Sequence, residues 1–568
     1  MSNKEAVQKL LALLKGYQKI IAIIIFCLLL STGLSLCIPL LSKRIMDDGF
    51  IGGNKELLIK MVLGSFVIHL ANSTIDIIKE KKRVDISSKI QYSLSEESFS
   101  HLMRMKISYF SNKNYAEILN NINVDINNMT SIADEGVFFV VTQAFSMVGG
   151  VIGLFILDYR MTILVLLFIP IKYVVMKYFA KQRKKVMDEF IFINQKYSSW
   201  FGDTVGGVKE VKLFGIFANK HKEFVEKQNE VISKQKKMNM LSQWNNITDT
   251  VLVCMLTTLI YIIGSNLVFN LQLSVGSIFA FITYSTYVTG PISAILNIGY
   301  LLSGIIPSTK RYYEFMYLEE EDESKEAKVL LQAGDIEFQH VSFAYEKNKP
   351  VLKDINLRFP KGSKTALIGK NGSGKSTIVE LLLRMYAPMK GQILLAGEDI
   401  FSTSLEVYRG IISVVSQEIY LFNDTIRNNI CLYKQVDDSL ILDVCRDSGL
   451  AEFVAEVTLD YVVGQNGTML SGGQKQKIAL ARALLHERPI VVFDEATSST
   501  DSYSEQQINS LLHTKLKDKT VIVITHRQEI LNKVDFIVML DEGQIVEQGS
   551  YEHIKKCGRY LDMVNVGS

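Results

Sequence analysis

Residues 365–377, "TALIGKNGSGKST", decide the reading of the second half of this chain. A short apolar run, "TALIG", has strand character. It delivers Gly369 into a pattern, G-x-x-x-x-G-K-[ST], that ends at Lys375 and Ser376, and the apolar "IVELLLRMY" of 378–386 follows with helical spacing. Strand, glycine loop and helix in that order are what a phosphate cradle needs. Glycines let backbone N–H groups curl around phosphate oxygens at a helix N-terminus. Gly369, Asn371, Gly372, Ser373, Gly374 and Thr377 are therefore candidate binding positions, Lys375 supplies a point charge, and the Ser376 hydroxyl is a candidate ligand for Mg²⁺.

Further along, "IVVFDEATSSTD" (490–501) sets Asp494 and Glu495 at the end of an apolar strand. Two carboxylates at a strand end can serve a metal and an attacking water, so Asp494 is expected in the metal shell and Glu495 as general base. Between the two motifs lies "LSGGQ", Leu470 to Gln474, ahead of the helix-like "KQKIALARALL". Ser471, Gly472, Gly473 and Gln474 would head that helix as a second anion site built on N–H donors. With "VIVIT" at 521–525 as a third strand, 333–568 reads as an α/β domain with a largely parallel sheet.

The first half differs in kind. The chain has 568 residues, 48 % hydrophobic and 21 % charged, with a mean hydropathy of +0.17, more apolar than a soluble surface accommodates. Six apolar stretches, near 19–41, 57–78, 136–157, 160–179, 247–269 and 274–306, each approach the roughly 20 residues that cross a bilayer. The first is too long for a signal peptide and has no small-residue cleavage site. Joins such as "DYR" and "NLQLS" are short, whereas those after the second and fourth stretches run to about 60 helix-like residues, enough to extend the spans beyond the bilayer. Basic clusters "KEKKR" (79–83) and "KQRKK" (181–185) put these long connections, the N-terminus and the second half in the cytoplasm by the positive-inside rule. The charged "MYLEEEDESKEAK" marks a linker, giving a membrane domain at 1–318, a linker at 319–332 and the α/β domain at 333–568.

Composition also excludes functions. Sixty-two basic against fifty-nine acidic residues, a net +3, gives no charge-driven reason to bind nucleic acid. Six cysteines without a C-x-x-C pair argue against a disulfide scaffold or zinc module.

A phosphate loop, LSGGQ and an Asp-Glu strand in this order, after six spans, resemble an ATP-binding cassette (ABC) exporter half-transporter, and the resemblance covers essentially the whole chain. It implies ATP and Mg²⁺ as cofactors. It also implies further residues: Tyr345 of "VSFAY" resembles the aromatic that stacks on adenine, and Gln417 of "SVVSQE" the glutamine that touches Mg²⁺ and reports to the membrane domain. Asp501 resembles the aspartate bridging two cassettes, and His526 of "VITHR" the histidine that contacts the γ-phosphate. "YFSNKNYAEILNNINVDI" (109–126) and "FGDTVGGVKEVKLFG" (201–215) resemble the two coupling regions, with Asp125 at the usual aspartate and Ala116 where glycine is common. In "VGQNG", Gln465 replaces the usual acid, so the pairing that acid would make with a basic residue on the partner or a coupling helix loses its charge.

One phosphate loop and one LSGGQ imply a second half-transporter chain, most simply an identical one, because each ATP in the family lies between two cassettes. The expected function is ATP-driven export or flipping of a hydrophobic or amphipathic peptide, lipid or drug across a bacterial plasma membrane by alternating access. An ATP-gated channel or regulator is the alternative, and a soluble cassette ATPase has no use for six spans. About 18 residues before the first span leave no room for a leader-peptidase domain. His69, Asp76, Lys172 and Asp249 fall in or near the spans, where ionisable groups either line a path or sit at the membrane interfaces.

Overall fold

The computed structural model describes residues 1–110, 115–133, 137–321, 334–346, 349–494, 510–525 and 527–556. The chain divides into two compact units, one of Met1–Arg104 with Lys113–Glu319, the other of Met105–Asn112 with Glu320–Ser568.

The first unit is helical. A short helix, α1 (Asn3–Leu13), starts with a capping box in which Ser2 accepts from the Glu5 amide and Glu5 from the Ser2 amide. Ala6 and Leu10, four apart on one face, bury it. Then come α2 (Gln18–Arg44), α3 (Lys55–Arg104), α4 (Tyr115–Ser131), α5 (Val137–Leu157), α6 (Tyr159–Gly206), α7 (Val208–Leu213), α8 (Phe217–Phe269) and α9 (Val275–Met316). Six helical stretches among the described residues are long and apolar enough to cross a membrane, and they coincide with the six read from the sequence. At 50, 48 and 53 residues, α3, α6 and α8 are about 70–80 Å long at 1.5 Å per residue, more than twice the hydrocarbon core. Their excess carries the basic clusters. Close helix packing in the spans depends on small residues: a Cβ on Gly153 of α5 would stand 2.5 Å from the Tyr284 ring of α9.

The second unit holds two sheets. The larger, in the order β10-β9-β3-β8-β7-β6, comprises β3 (Lys364–Gly369), β6 (Ile412–Val415), β7 (Ile490–Asp494), β8 (Thr520–Ile524), β9 (Phe536–Asp541) and β10 (Gln544–Gly549). Among the described residues only the β9–β10 pair of this sheet is antiparallel, as adjacent hairpin strands must be. Strand β3 is buried along its whole length, which explains why it reads as a continuous apolar run rather than an alternating one. A smaller antiparallel sheet, β2-β1-β4-β5, is built from β1 (Ile336–Phe343), β2 (Leu352–Phe359), β4 (Lys390–Leu395) and β5 (Glu398–Asp399). The unit also contains α10 (Lys375–Leu382), α11 (Leu405–Gly410), α12 (Ile426–Cys431), α13 (Asp438–Asp447), α14 (Ala451–Val457) and α15 (Gly472–Leu485). Helices α12 to α15 share a core of their own around Ile430, Ile441, Cys445 and Ile478. The five described cysteines are free.

Candidate nucleotide-binding site

Parallel strands bring the motifs to one edge. β3 ends at Gly369 and β7 at Asp494, with β8 hydrogen-bonded between them and Asp494 in register with Ile524. β6, beside β7, ends two residues before Gln417. The carboxyl ends of parallel strands are where such sheets take ligands. Glu495, Asp501 and His526 lie outside the described residues.

The glycine loop turns sharply from β3 into α10. Gly374, the residue that caps α10, has φ +103°, and a Cβ there would meet Leu352 at 2.5 Å, so only glycine fits. Asn371, Gly372 and Ser376 are exposed, which leaves the Ser376 hydroxyl open on the first turn of α10. Lys375 is 5 % exposed and folds back, its Nζ donating to the carbonyl oxygens of Gly369 (2.6 Å) and Lys370 (3.0 Å). The Ser373 hydroxyl is buried without a hydrogen-bond partner among the described residues. An orphaned donor and a loop-held cation around a Gly-lined turn suit an anion with several oxygens. Ser376, Asp494 and Gln417 carry hydroxyl, carboxylate and amide oxygens, hard donors of the kind that Mg²⁺ takes.

Tyr345 is joined to this helix. Its hydroxyl lies 3.0 Å from Thr377 Oγ1 and donates to Glu380, a residue the sequence reading did not single out. Burial raises the phenol pKa well above its ordinary value, and the Glu380 hydrogen bond adds to it. Phe343 and Tyr386 pack edge-on at 4.9 and 5.2 Å between ring centres, and the ring remains half exposed.

Ser471 caps α15, and here the expectation of open donors needs correcting. The Ser471 hydroxyl accepts from the Gln474 amide, and the Gln474 side chain accepts from the Ser471 amide. Two N–H groups are thus used within the motif, and the amides of Gly472 and Gly473 are the ones left for an anion. Leu470 belongs to the helical core, whereas α10 packs into the core around both sheets. Gln465 is exposed, in a turn held by Lys475 donating to the Asn466 carbonyl oxygen at 2.8 Å.

In the helical unit, Asp125 of α4 is buried and accepts from Arg311 of α9, through Nε at 3.2 Å and through Nη2. Lys172, 1 % exposed, donates to Asp249 at 2.7 Å. Asp76 pairs locally with Lys79, and His69 is exposed. Lys172 therefore does not snorkel, since burial and an ion pair hold it inside.

Comparison with known proteins agrees with this architecture. The family model of the ABC transporter transmembrane region matches residues 21–292, and a second model, described as ABC transporter, matches 352–498. An ATP-dependent lipid A-core flippase of Yersinia pestis is 30 % identical over 523 residues, 90 % of this chain and 89 % of the relative. The flippase of Escherichia coli strain K12 is 29 % identical over 90 % and 89 %. A bacterial Atm1-family ABC exporter solved with ATP bound shares the fold, with a TM-score of 0.85 at 22 % identity over 98 % of this chain and 99 % of that one.

Proposed function

The chain belongs to the ABC transporter family, and from that premise we propose that it is half of a dimeric exporter that uses ATP to move an amphipathic lipid from one leaflet to the other. The observation that carries this reading is a phosphate loop with its cation and open hydroxyl, on a chain that also holds six membrane-length helices. The lipid is proposed from the relatives, which are named as flippases of lipid A-core.

In this mechanism the glycine loop and Lys375 hold the β- and γ-phosphates, and the ring of Tyr345 stacks on the base. Ser376, Gln417 and Asp494 would hold Mg²⁺, which supplies charge neutralisation on the phosphates. Glu495 takes the proton of the attacking water, and His526 contacts the γ-phosphate. Gly472 and Gly473 of a second copy donate to the same nucleotide, and Asp501 bridges the two cassettes, so one chain cannot complete a site. The functional unit is a homodimer with its cassettes in the cytoplasm, where the domains at 1–318 and 333–568 act as membrane and ATP-hydrolysing parts. ATP closes the cassettes, the segments at 109–126 and 201–215 carry that closure to the spans, and hydrolysis resets them.

Reconstitution tests this. Vesicles containing the purified chain and a fluorescent phosphate-bearing lipid should move the probe between leaflets with ATP and Mg²⁺, and should not when Glu495→Gln replaces the native chain. ATP hydrolysis without lipid movement, by a protein that instead passes ions, would favour the channel reading.

A further inference from the structure

Tyr345 stands on the loop after β1, two residues past Phe343, where the β1–β2 ladder ends at the Phe343–Leu352 pair. The sheet therefore does not aim its ring. Side chains do. The hydroxyl reaches α10 twice, lying 3.0 Å from Thr377 Oγ1 and donating to the Glu380 carboxylate. Thr377 and Glu380 are three residues apart, so they share one face of the helix, and Thr377 directly follows Ser376 of the glycine loop. Phe343 and Tyr386 supply the remaining ring contacts, crossing the phenol at 84° and 89°. Neither lies parallel to it, and the side chain stays half exposed, which leaves a surface for a flat ring to stack on.

Of the two hydrogen bonds, the one to Glu380 is the stronger kind, because its acceptor is a carboxylate. Glu380 makes no ion pair among the described residues, and the phenol is what its side chain binds. The phenol remains a donor: burial disfavours the phenolate, and the neighbouring carboxylate disfavours it further. A tyrosine held only at its backbone turns about its side-chain torsions, and stacking on a base must first stop that motion at a cost in affinity. A ring already held at its hydroxyl has lost that freedom before the nucleotide arrives.

We propose that Glu380 is a positioning residue for the nucleotide base: its carboxylate fixes the Tyr345 ring where the base stacks and ties that ring to the helix that carries the phosphate loop. This rests on the reading of Tyr345 as the residue that stacks on the base. Base and triphosphate then meet one frame, α10, and the gain is confined to ligands that carry a base. A phenol face stacks on any purine and reads no base edge, so the gain is equal for adenine and guanine nucleotides.

The test is isothermal titration of the full chain in detergent with the β,γ-imido analogues of ATP and GTP, which resist hydrolysis, and with inorganic tripolyphosphate, each with Mg²⁺. Glu380→Ala should weaken both imido analogues by about 3- to 10-fold, the effect of having to order one side chain on binding, and leave tripolyphosphate binding unchanged. Tyr345→Phe, which keeps the ring and removes the hydroxyl, should do the same. Combining the two substitutions should cost no more than either alone, because both break one contact. Glu380→Gln keeps an acceptor and should recover most of the affinity. An equal loss for tripolyphosphate would mean that Glu380 supports the phosphate loop instead of the ring, and a loss for only one base would mean that its carboxylate reads a base edge. Either result overturns the proposal, as does native affinity in Glu380→Ala. Tyr345→Ala separates this from the underlying reading: if it weakens the imido analogues while Glu380→Ala does not, the positioning role alone falls, and if it binds them like the native chain, Tyr345 leaves the base site and the proposal falls with it.

Discussion

Lys375 Nζ lies 2.6 Å from the carbonyl oxygen of Gly369, so the cation of the glycine loop is held by the first residue of that loop. The lysine is poised without being spent: backbone carbonyls satisfy its donors and carry no net charge, and a phosphate can replace them with a gain in charge pairing. Lys375→Ala removes both the loop closure and the cation. Nucleotide affinity should fall by about 10- to 100-fold, the range of a lost charge-assisted hydrogen bond. Titration with a fluorescent ATP analogue measures it, and unchanged affinity would exclude Lys375 from the site.

Glu495→Gln should behave in the opposite way. Replacing the proposed base with its amide preserves shape and leaves the phosphate cradle intact, so ATP should bind as in the native chain. Turnover should fall by about a hundredfold or more, the usual worth of general-base catalysis. Phosphate release from purified protein, compared with equilibrium binding, separates the two effects. Native hydrolysis by this variant would remove Glu495 from the mechanism.

How far the sequence discloses this site depends on whether a residue acts through its neighbours in the chain or through distant ones. Gly374 and Lys375 are legible because a tight turn, a close backbone approach and a cation must follow a strand within a few residues. The six spans are legible because lipid demands length and apolarity over a continuous stretch. Glu380 is not, because its role comes from a tyrosine 35 residues away. The charges of Lys172, Asp249 and Asp125 stand out in the chain, but which groups pair does not: Lys172 meets Asp249 across two helices, and Arg311 reaches Asp125 across 186 residues, where only the packing of α4 on α9 aligns them. The helix α1 has a local signal in the sequence, since Ser2 and Glu5 have the spacing of a capping box.

The Asp125–Arg311 pair leads to a third prediction. The carboxylate is buried and the guanidinium half exposed, so the contact lies between a surface ion pair and a fully buried one. Removing the charge with Asp125→Asn should destabilise the protein by about 1–3 kcal/mol. Because α4 belongs to the segment proposed to carry cassette closure, the larger effect should be on coupling, with ATPase retained and less lipid moved per ATP. Simultaneous flipping and phosphate-release assays give that ratio. Changed lipid selectivity at an unchanged ratio would place Asp125 in cargo recognition instead.

His486 gives the cassette unit a pH dependence whose sign is fixed. It stands at the C-terminal cap of α15 with Nε2 buried and without a hydrogen-bond partner among the described residues. Burial lowers its pKa from the ordinary 6.5 to about 4, and the charges of Lys434, Arg488 and Arg482 press in the same direction. The folded chain thus keeps this imidazole neutral where the unfolded chain would protonate it. Its contribution to stability is complete above about pH 6.5 and is lost as the pH falls from there toward about 4, because the unfolded state binds the extra proton over that interval. His486→Leu removes the titrating group and leaves every other carboxylate and histidine in place. Thermal melting of the full chain in detergent at pH 7.5 and pH 5 should show a smaller acid-induced loss in the variant than in the native protein. Equal losses in the two proteins would show that His486 does not titrate with unfolding.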